Sequence, residues 1–106
     1  MRERAMRLIV YFDLPVTTAD ERRQYAKFRK YLLMQGFIMV QESVYSKIAL
    51  NSTAAETIKR NLRDHKPKSG NVQILTVLER QYQNIEFLAG EPKKDVVDTL
   101  DRFVVL

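Results

Sequence analysis

An α+β domain, with helices laid over one face of an antiparallel sheet, is the fold class this sequence predicts. Three observations predict it. Four short runs carry strand chemistry, two longer stretches carry apolar residues at helical spacing, and capping or breaking residues stand at their junctions. The resulting order, strand-helix-strand-strand-helix-strand, is the split βαβ arrangement called ferredoxin-like.

The first strand lies in Arg7-Leu-Ile-Val-Tyr-Phe-Asp-Leu-Pro15, where β-branched and aromatic residues dominate positions 8–14 and Pro15 blocks continuation of the ladder. Thr18 followed by Glu21 is a capping-box pattern that starts a helix. Tyr25, Phe28 and Leu32, flanked by Tyr31, give that helix its buried stripe, and Gly36 ends it where left-handed geometry is needed. Residues 37–40 and 44–50 are the next strands, joined by Gln41-Glu-Ser43 as a hairpin or bulge. Asn51-Ser-Thr-Ala54 offers caps for a second helix whose inner face is Ala54, Ala55, Ile58 and Leu62, ending near His65. Residues 71–79 make the fourth strand. Beyond it, Ile85-Glu-Phe-Leu88 and Arg102-Phe-Val-Val-Leu106 read as extra C-terminal strands separated by a polar stretch.

These strands carry apolar residues on both parities, so the sheet face away from the helices also needs cover. A second copy of the chain would supply it, and a homodimer is expected. The 106 residues fit a single domain, 1–106, in which 80–106 form a C-terminal extension available for contacts with that copy.

Composition narrows the function. Eighteen Lys and Arg against thirteen Asp and Glu give a net charge of +5, which favours phosphate-bearing partners. The absence of cysteine removes disulfides, thiolate metal sites and cysteine nucleophiles, and fits a cytoplasmic protein. No apolar run approaches the roughly 20 residues needed to span a bilayer, and no secretory signal pattern opens the chain, so no membrane association is expected. P-loop, zinc, glycine-fingerprint and Ser-His-Asp patterns are all missing.

Asp13 is the candidate catalytic and metal-binding residue. A carboxylate delivered to a strand end is a hard oxygen ligand for Mg2+ or Mn2+, ions that activate water and neutralise phosphate charge. One acid is too few for such a site, so twofold symmetry would have to bring two copies of Asp13 together. The plainer reading is a turn residue before Leu-Pro. For phosphate contact, Arg23, Lys27 and Lys30 share one face of the first helix while Arg22 and Arg29 lie on the adjoining one; the alternative is a solvated face. Lys59, Arg60, Arg63, Lys66 and Lys68 form a second basic group that helix-end electrostatics alone would explain. Tyr11 and Phe12 straddle the first strand, which offers one ring to the core and one to the site, but strand aromatics usually pack and both are expected in the core. Ser43, Tyr45 and Ser46 offer hydroxyls near the hairpin, and His65, the single histidine, makes a poor general base in an exposed basic segment.

The motifs Arg7-Leu-Ile-Val-Tyr-Phe-Asp-Leu-Pro15, Arg29-Lys-Tyr-Leu-Leu33, Gly36-Phe-Ile-Met39, Ser43-Val-Tyr-Ser-Lys47 and Gly70-Asn-Val-Gln-Ile-Leu-Thr-Val77, in this order and spacing, resemble the CRISPR-associated Cas-two family, in particular its type II-A branch. The resemblance implies a homodimer that joins two dimers of the Cas-one integrase and carries a prespacer DNA duplex for spacer acquisition. Arg22, Arg23, Lys27, Arg29 and Lys30 would then contact the duplex backbone. It also implies, as the alternative function, a metal-dependent endonuclease that cleaves RNA or DNA, with Asp13 holding Mg2+ or Mn2+. By the same resemblance the C-terminal Arg102-Phe-Val-Val-Leu106 extends the partner's sheet or docks on the integrase.

Overall fold

A computed structural model describes residues 4–91. Among them the chain runs β1 (Met6–Asp13), α1 (Ala19–Met34), β2 (Ile38–Gln41), β3 (Val44–Ala49), α2 (Ser52–Asp64), β4 (Asn71–Leu78) and α3 (Glu79–Gln83). The four strands form one sheet in the order β2-β3-β1-β4, every neighbouring pair antiparallel. This is the ferredoxin-like order that the sequence predicts, with β1 central.

Local chemistry sets the boundaries. The Glu21 N–H donates to Thr18 Oγ1 at 3.1 Å and the Thr18 N–H donates to Glu21 Oε1 at 2.8 Å, so the capping box at the start of α1 is complete. At its end the Phe37 N–H reaches Leu32 O and the Gly36 N–H reaches Leu33 O, with Gly36 at φ +90°. These paired bonds form a Schellman motif, which demands the left-handed residue at Gly36. Asn51 caps α2 by accepting from the Ala54 N–H at 2.8 Å. The β2–β3 connection is both hairpin and bulge: Glu42 and Ser43 turn the chain, and the register slips between Met39 and Gln41.

Helices α1 and α2 lie on one face of the sheet. Leu8, Val10 and Phe12 of β1 bury against Phe28 and Leu32 of α1, Ala55 and Leu62 of α2, and Tyr45 and Ala49 of β3. Phe12 is the hub. Its ring stacks on Tyr45 at 5.8 Å and meets Phe28 edge-on at 5.3 Å and Tyr25 at 5.8 Å. Tyr25, Tyr31, Ala54 and Ile58 pack around this centre, as their helical spacing predicts.

The C-terminal expectations fare differently. Residues 85–88 are not a strand within this chain, because they find no ladder partner along the four-stranded sheet. Ile85, Phe87 and Leu88 are left exposed. Before them comes α3, a helical turn that the sequence reading overlooked. Arg102-Phe-Val-Val-Leu106 lies outside the described residues.

Candidate functional site

Alternation along β1 decides which face each residue serves. Leu8, Val10 and Phe12 point to the helices, so Arg7, Ile9, Tyr11 and Asp13 belong to the opposite, open face. Register adds Val44 and Ser46 of β3 and Asn71, Gln73, Leu75 and Val77 of β4 to that face. Tyr11 is 38% exposed and Leu75 49%, so the apolar surface predicted to need cover is present. Phe12 goes to the core, whereas Tyr11, expected to be core as well, lies on the open face because alternation turns it away from the helices.

Asp13 ends β1 opposite Asn71 and is exposed. Its backbone is held closely. A Cβ on Gly70, which has φ +91°, would stand 2.8 Å from the Asp13 carbonyl oxygen and 2.7 Å from Leu14 Cδ2. Only glycine lets the β4 approach come this near, so Gly70 fixes where the carboxylate emerges. Among the described residues no group of three or more His, Cys, Asp or Glu side chains could hold a metal ion. One copy therefore offers one carboxylate.

The basic residues of α1 are not on the Asp13 face. The stripe of α1 that includes Phe28 and Leu32 packs on the helix side of the sheet, and the exposed cations look away from it. Asp13 and the α1 cations thus lie on different surfaces. Within the group, Arg22 donates to the Thr17 carbonyl at 2.7 Å and the Val16 carbonyl at 3.2 Å, which ties down the β1–α1 loop. Arg23 makes a long, exposed pair with Asp20 at 3.4 Å. Lys27, Arg29 and Lys30 are exposed and form no ion pair with described residues. In the second basic group, Lys59 pairs with Glu56, whose carboxyl that hydrogen bond holds below its ordinary value. Arg63 and Lys66 rim a groove of about 240 Å³ floored by Phe28, Leu62, Val72 and Ile74.

The two serine hydroxyls near the hairpin are engaged and the Tyr45 ring is buried. Tyr45 is buried under Phe12, Ser46 Oγ accepts from Arg7 at 3.2 Å, and Ser43 Oγ lies 3.3 Å from the Tyr25 hydroxyl. Ser43 also takes φ +62°, uncommon for a residue with a side chain, and its carbonyl accepts from the Phe12 N–H at 3.1 Å. His65 stacks on Tyr31 at 4.2 Å and bonds the Asn61 carbonyl through Nδ1. Burial, then the nearby Asp64 charge, raises the Tyr31 hydroxyl above its usual range.

Sequence reasoning missed one cluster altogether. Arg7 is only 5% exposed although it lies on the open face. Glu79 of α3 receives two hydrogen bonds from it, at 2.7 and 2.6 Å, and the Tyr82 ring covers the guanidinium at 4.3 Å. Burial pushes the Glu79 carboxyl up. Hydrogen bonds from Arg7 and Gln83, with the Arg7 charge, outweigh that and hold it below its ordinary value. The available signal was a cation ahead of an apolar run and an acid after another.

A family model described as "CRISPR associated protein Cas2" matches residues 6–85. The chain is 50% identical over 95% of its length to a "CRISPR-associated endoribonuclease Cas2" of Treponema denticola, covering 100% of that protein. It is 46% identical, again over 95% of its length, to a protein of the same name from Streptococcus mutans, covering 93% of it. A solved structure described as "Crystal structure of cas2" superposes with a TM-score of 0.57 at 19% identity, over 85% of this chain and 92% of that one, which supports the fold alone.

Proposed function

The chain belongs to the CRISPR-associated Cas2 family, and from that premise we propose that it is a homodimeric, metal-dependent endonuclease of RNA, cytoplasmic and serving antiviral defence. The observation that carries this reading is Asp13: an exposed carboxylate at the end of the central strand, on an uncovered apolar face, with its backbone clamped by Gly70. The relatives' name, endoribonuclease, favours RNA as the substrate.

A single Asp13 does not suffice for a metal, but two related by a twofold axis supply two hard oxygen ligands. When bound, Mg2+ or Mn2+ supplies Lewis acidity and an activated water toward phosphodiester hydrolysis. The chain's own part is to hold the carboxylates at a fixed separation. Tyr11, two residues before Asp13, and Leu75, level with Ile9, are the half-open surface on the same face that a second copy would bury.

Incubation of purified protein with single-stranded RNA and Mg2+ or Mn2+ tests the reading. Cleavage should co-elute with the protein and be lost in Asp13→Asn. Cleavage that survives this substitution, or that separates on a sizing column, defeats it.

A second reading is favoured by the exposed Lys27, Arg29 and Lys30, which have no ion-pair partners among the described residues. In it the homodimer is the scaffold of the CRISPR adaptation complex. It bridges Cas-one integrase dimers and binds prespacer duplex DNA through these cations, with Arg22 and Arg23 beside them. A stable complex with the integrase and a duplex on a sizing column at low salt is the expected result. The two readings use different surfaces and are compatible.

A further inference from the structure

The open sheet face is closed at one end of β1 and bare at the other. At the Arg7 end α3 lies over the sheet, its Glu79 N–H bonded to the Ala5 carbonyl at 3.0 Å and its Glu79 carboxylate paired with Arg7. Ser46 and Tyr82 complete the shell around the guanidinium. The exposed residues of this cover are Arg80, Gln81 and Gln83, which cannot be buried against another protein without loss of hydration. Beyond it the same face presents Leu75, level with Ile9, and then Tyr11, both half open, and it ends toward Asp13 with the exposed Gln73 and Asn71 of β4. Ile48, level with Arg7 on β3, is 41% exposed, so the cover sits over β1 and β4 rather than across the whole sheet.

We infer that the Arg7–Glu79 pair is a positioning device for Asp13: by fixing α3 over one end of the open face, it confines a second copy to the other end and so brings the two Asp13 carboxylates together. This deepens the dimeric reading above and rests on it. In an isologous contact each surface meets its own copy. A twofold axis near Arg7 would drive one α3 into the other, whereas an axis through the Tyr11 end buries the bare apolar residues and juxtaposes the ends of the β1 strands. Arg7 and Glu79 touch neither ion nor RNA. They act through the placement of the interface.

The chain contains no cysteine, so Asp13→Cys introduces a unique thiol for a nitroxide label. Electron-electron resonance on the labelled full chain should show a short inter-label distance. The double change Arg7→Met with Glu79→Gln leaves neither charge, so the pair cannot re-form. In that background the short-distance population should be lost while circular dichroism retains the folded spectrum. Glu79→Gln alone, which keeps the side-chain shape, replaces the double change if the latter does not fold. An unchanged distance in the variant overturns this inference and leaves the dimeric site standing. Absence of a short distance in the parent overturns both.

Discussion

Arg7 and Glu79, 72 residues apart in sequence, meet in a two-pronged ion pair with Nε–Oε1 at 2.7 Å and Nη2–Oε2 at 2.6 Å. The side chains keep 6% and 20% of their exposure, so the pair is largely out of water. Glu79→Ala strands a buried guanidinium. The cost should fall near the lower end of the roughly 3–5 kcal/mol seen when one partner of a buried pair is removed, because Glu79 retains some solvent. The double change Arg7→Met with Glu79→Gln should cost less than Glu79→Ala, since no charge is left alone. Urea unfolding of the variants checks the order.

The same pair predicts a pH dependence. The folded-state carboxyl of Glu79 titrates below its ordinary value of 4.5, so the charged form is preferentially stabilised by folding. Its contribution is fully present above that ordinary value and is lost as the pH falls through the depressed folded value. The difference in melting temperature between the parent and Glu79→Gln should therefore be flat at neutral pH and narrow in acid. A gap that stays constant well below the ordinary value would show that the ion pair is not its source.

Gly70 offers a test of how the Asp13 strand end is held. An alanine there would combine a left-handed backbone, φ +91°, with a Cβ 2.7 to 3.0 Å from Leu14 and the Asp13 carbonyl. Such strain costs on the order of 1–3 kcal/mol, and relief requires the β1 end to move. Gly70→Ala should both lower stability and reduce cleavage per folded molecule. Activity restored in full once the folded fraction is corrected for would mean that the clamp does not orient Asp13.

Much of this architecture is legible from residue spacing because the signals are local. Thr18 with Glu21, Gly36 and Asn51 each act within a few residues, and the structure uses each as its chemistry dictates. The acid at the strand end was legible too, but its face relative to the α1 cations was not drawn from the alternation of Leu8, Val10 and Phe12, which places Asp13 on the other side. α3 escaped because five residues are too few to show a helical period. Its anchor is a long-range pair, visible only once register sets Arg7 opposite Val77, two residues before Glu79. Ile85-Glu-Phe-Leu88 has strand alternation without a strand's neighbour, and pairing is a property of the assembled sheet.

The α1 cations should differ in their effect on nucleic-acid binding. Lys27, Arg29 and Lys30 are exposed and unpaired among the described residues, so each change to Ala should weaken binding. The salt slope should fall by about 0.7 to 0.9 for every phosphate that is no longer neutralised. Arg22→Ala should instead loosen the β1–α1 loop, because Arg22 bonds the Val16 and Thr17 carbonyls. Anisotropy titrations at several salt concentrations, with hydrogen exchange across 14–18, separate the two. Equal salt slopes for all four variants would contradict the division.

The sharpest consequence of a shared site comes from mixing. If hydrolysis needs Asp13 from both copies, a dimer with one Asp13→Asn chain is as inactive as one with two. Equal amounts of parent and variant, unfolded together and refolded so that chains exchange at random, should yield about a quarter of their dimers with both carboxylates. Activity should then be about a quarter of that of the same total protein as parent, whereas independent sites would leave about half. Because Asp13 is exposed, the substitution should change stability by no more than roughly 0.5 kcal/mol, so the mixture contains folded protein throughout. Half-activity in such a mixture would assign the chemistry to single chains and remove the need for a paired carboxylate.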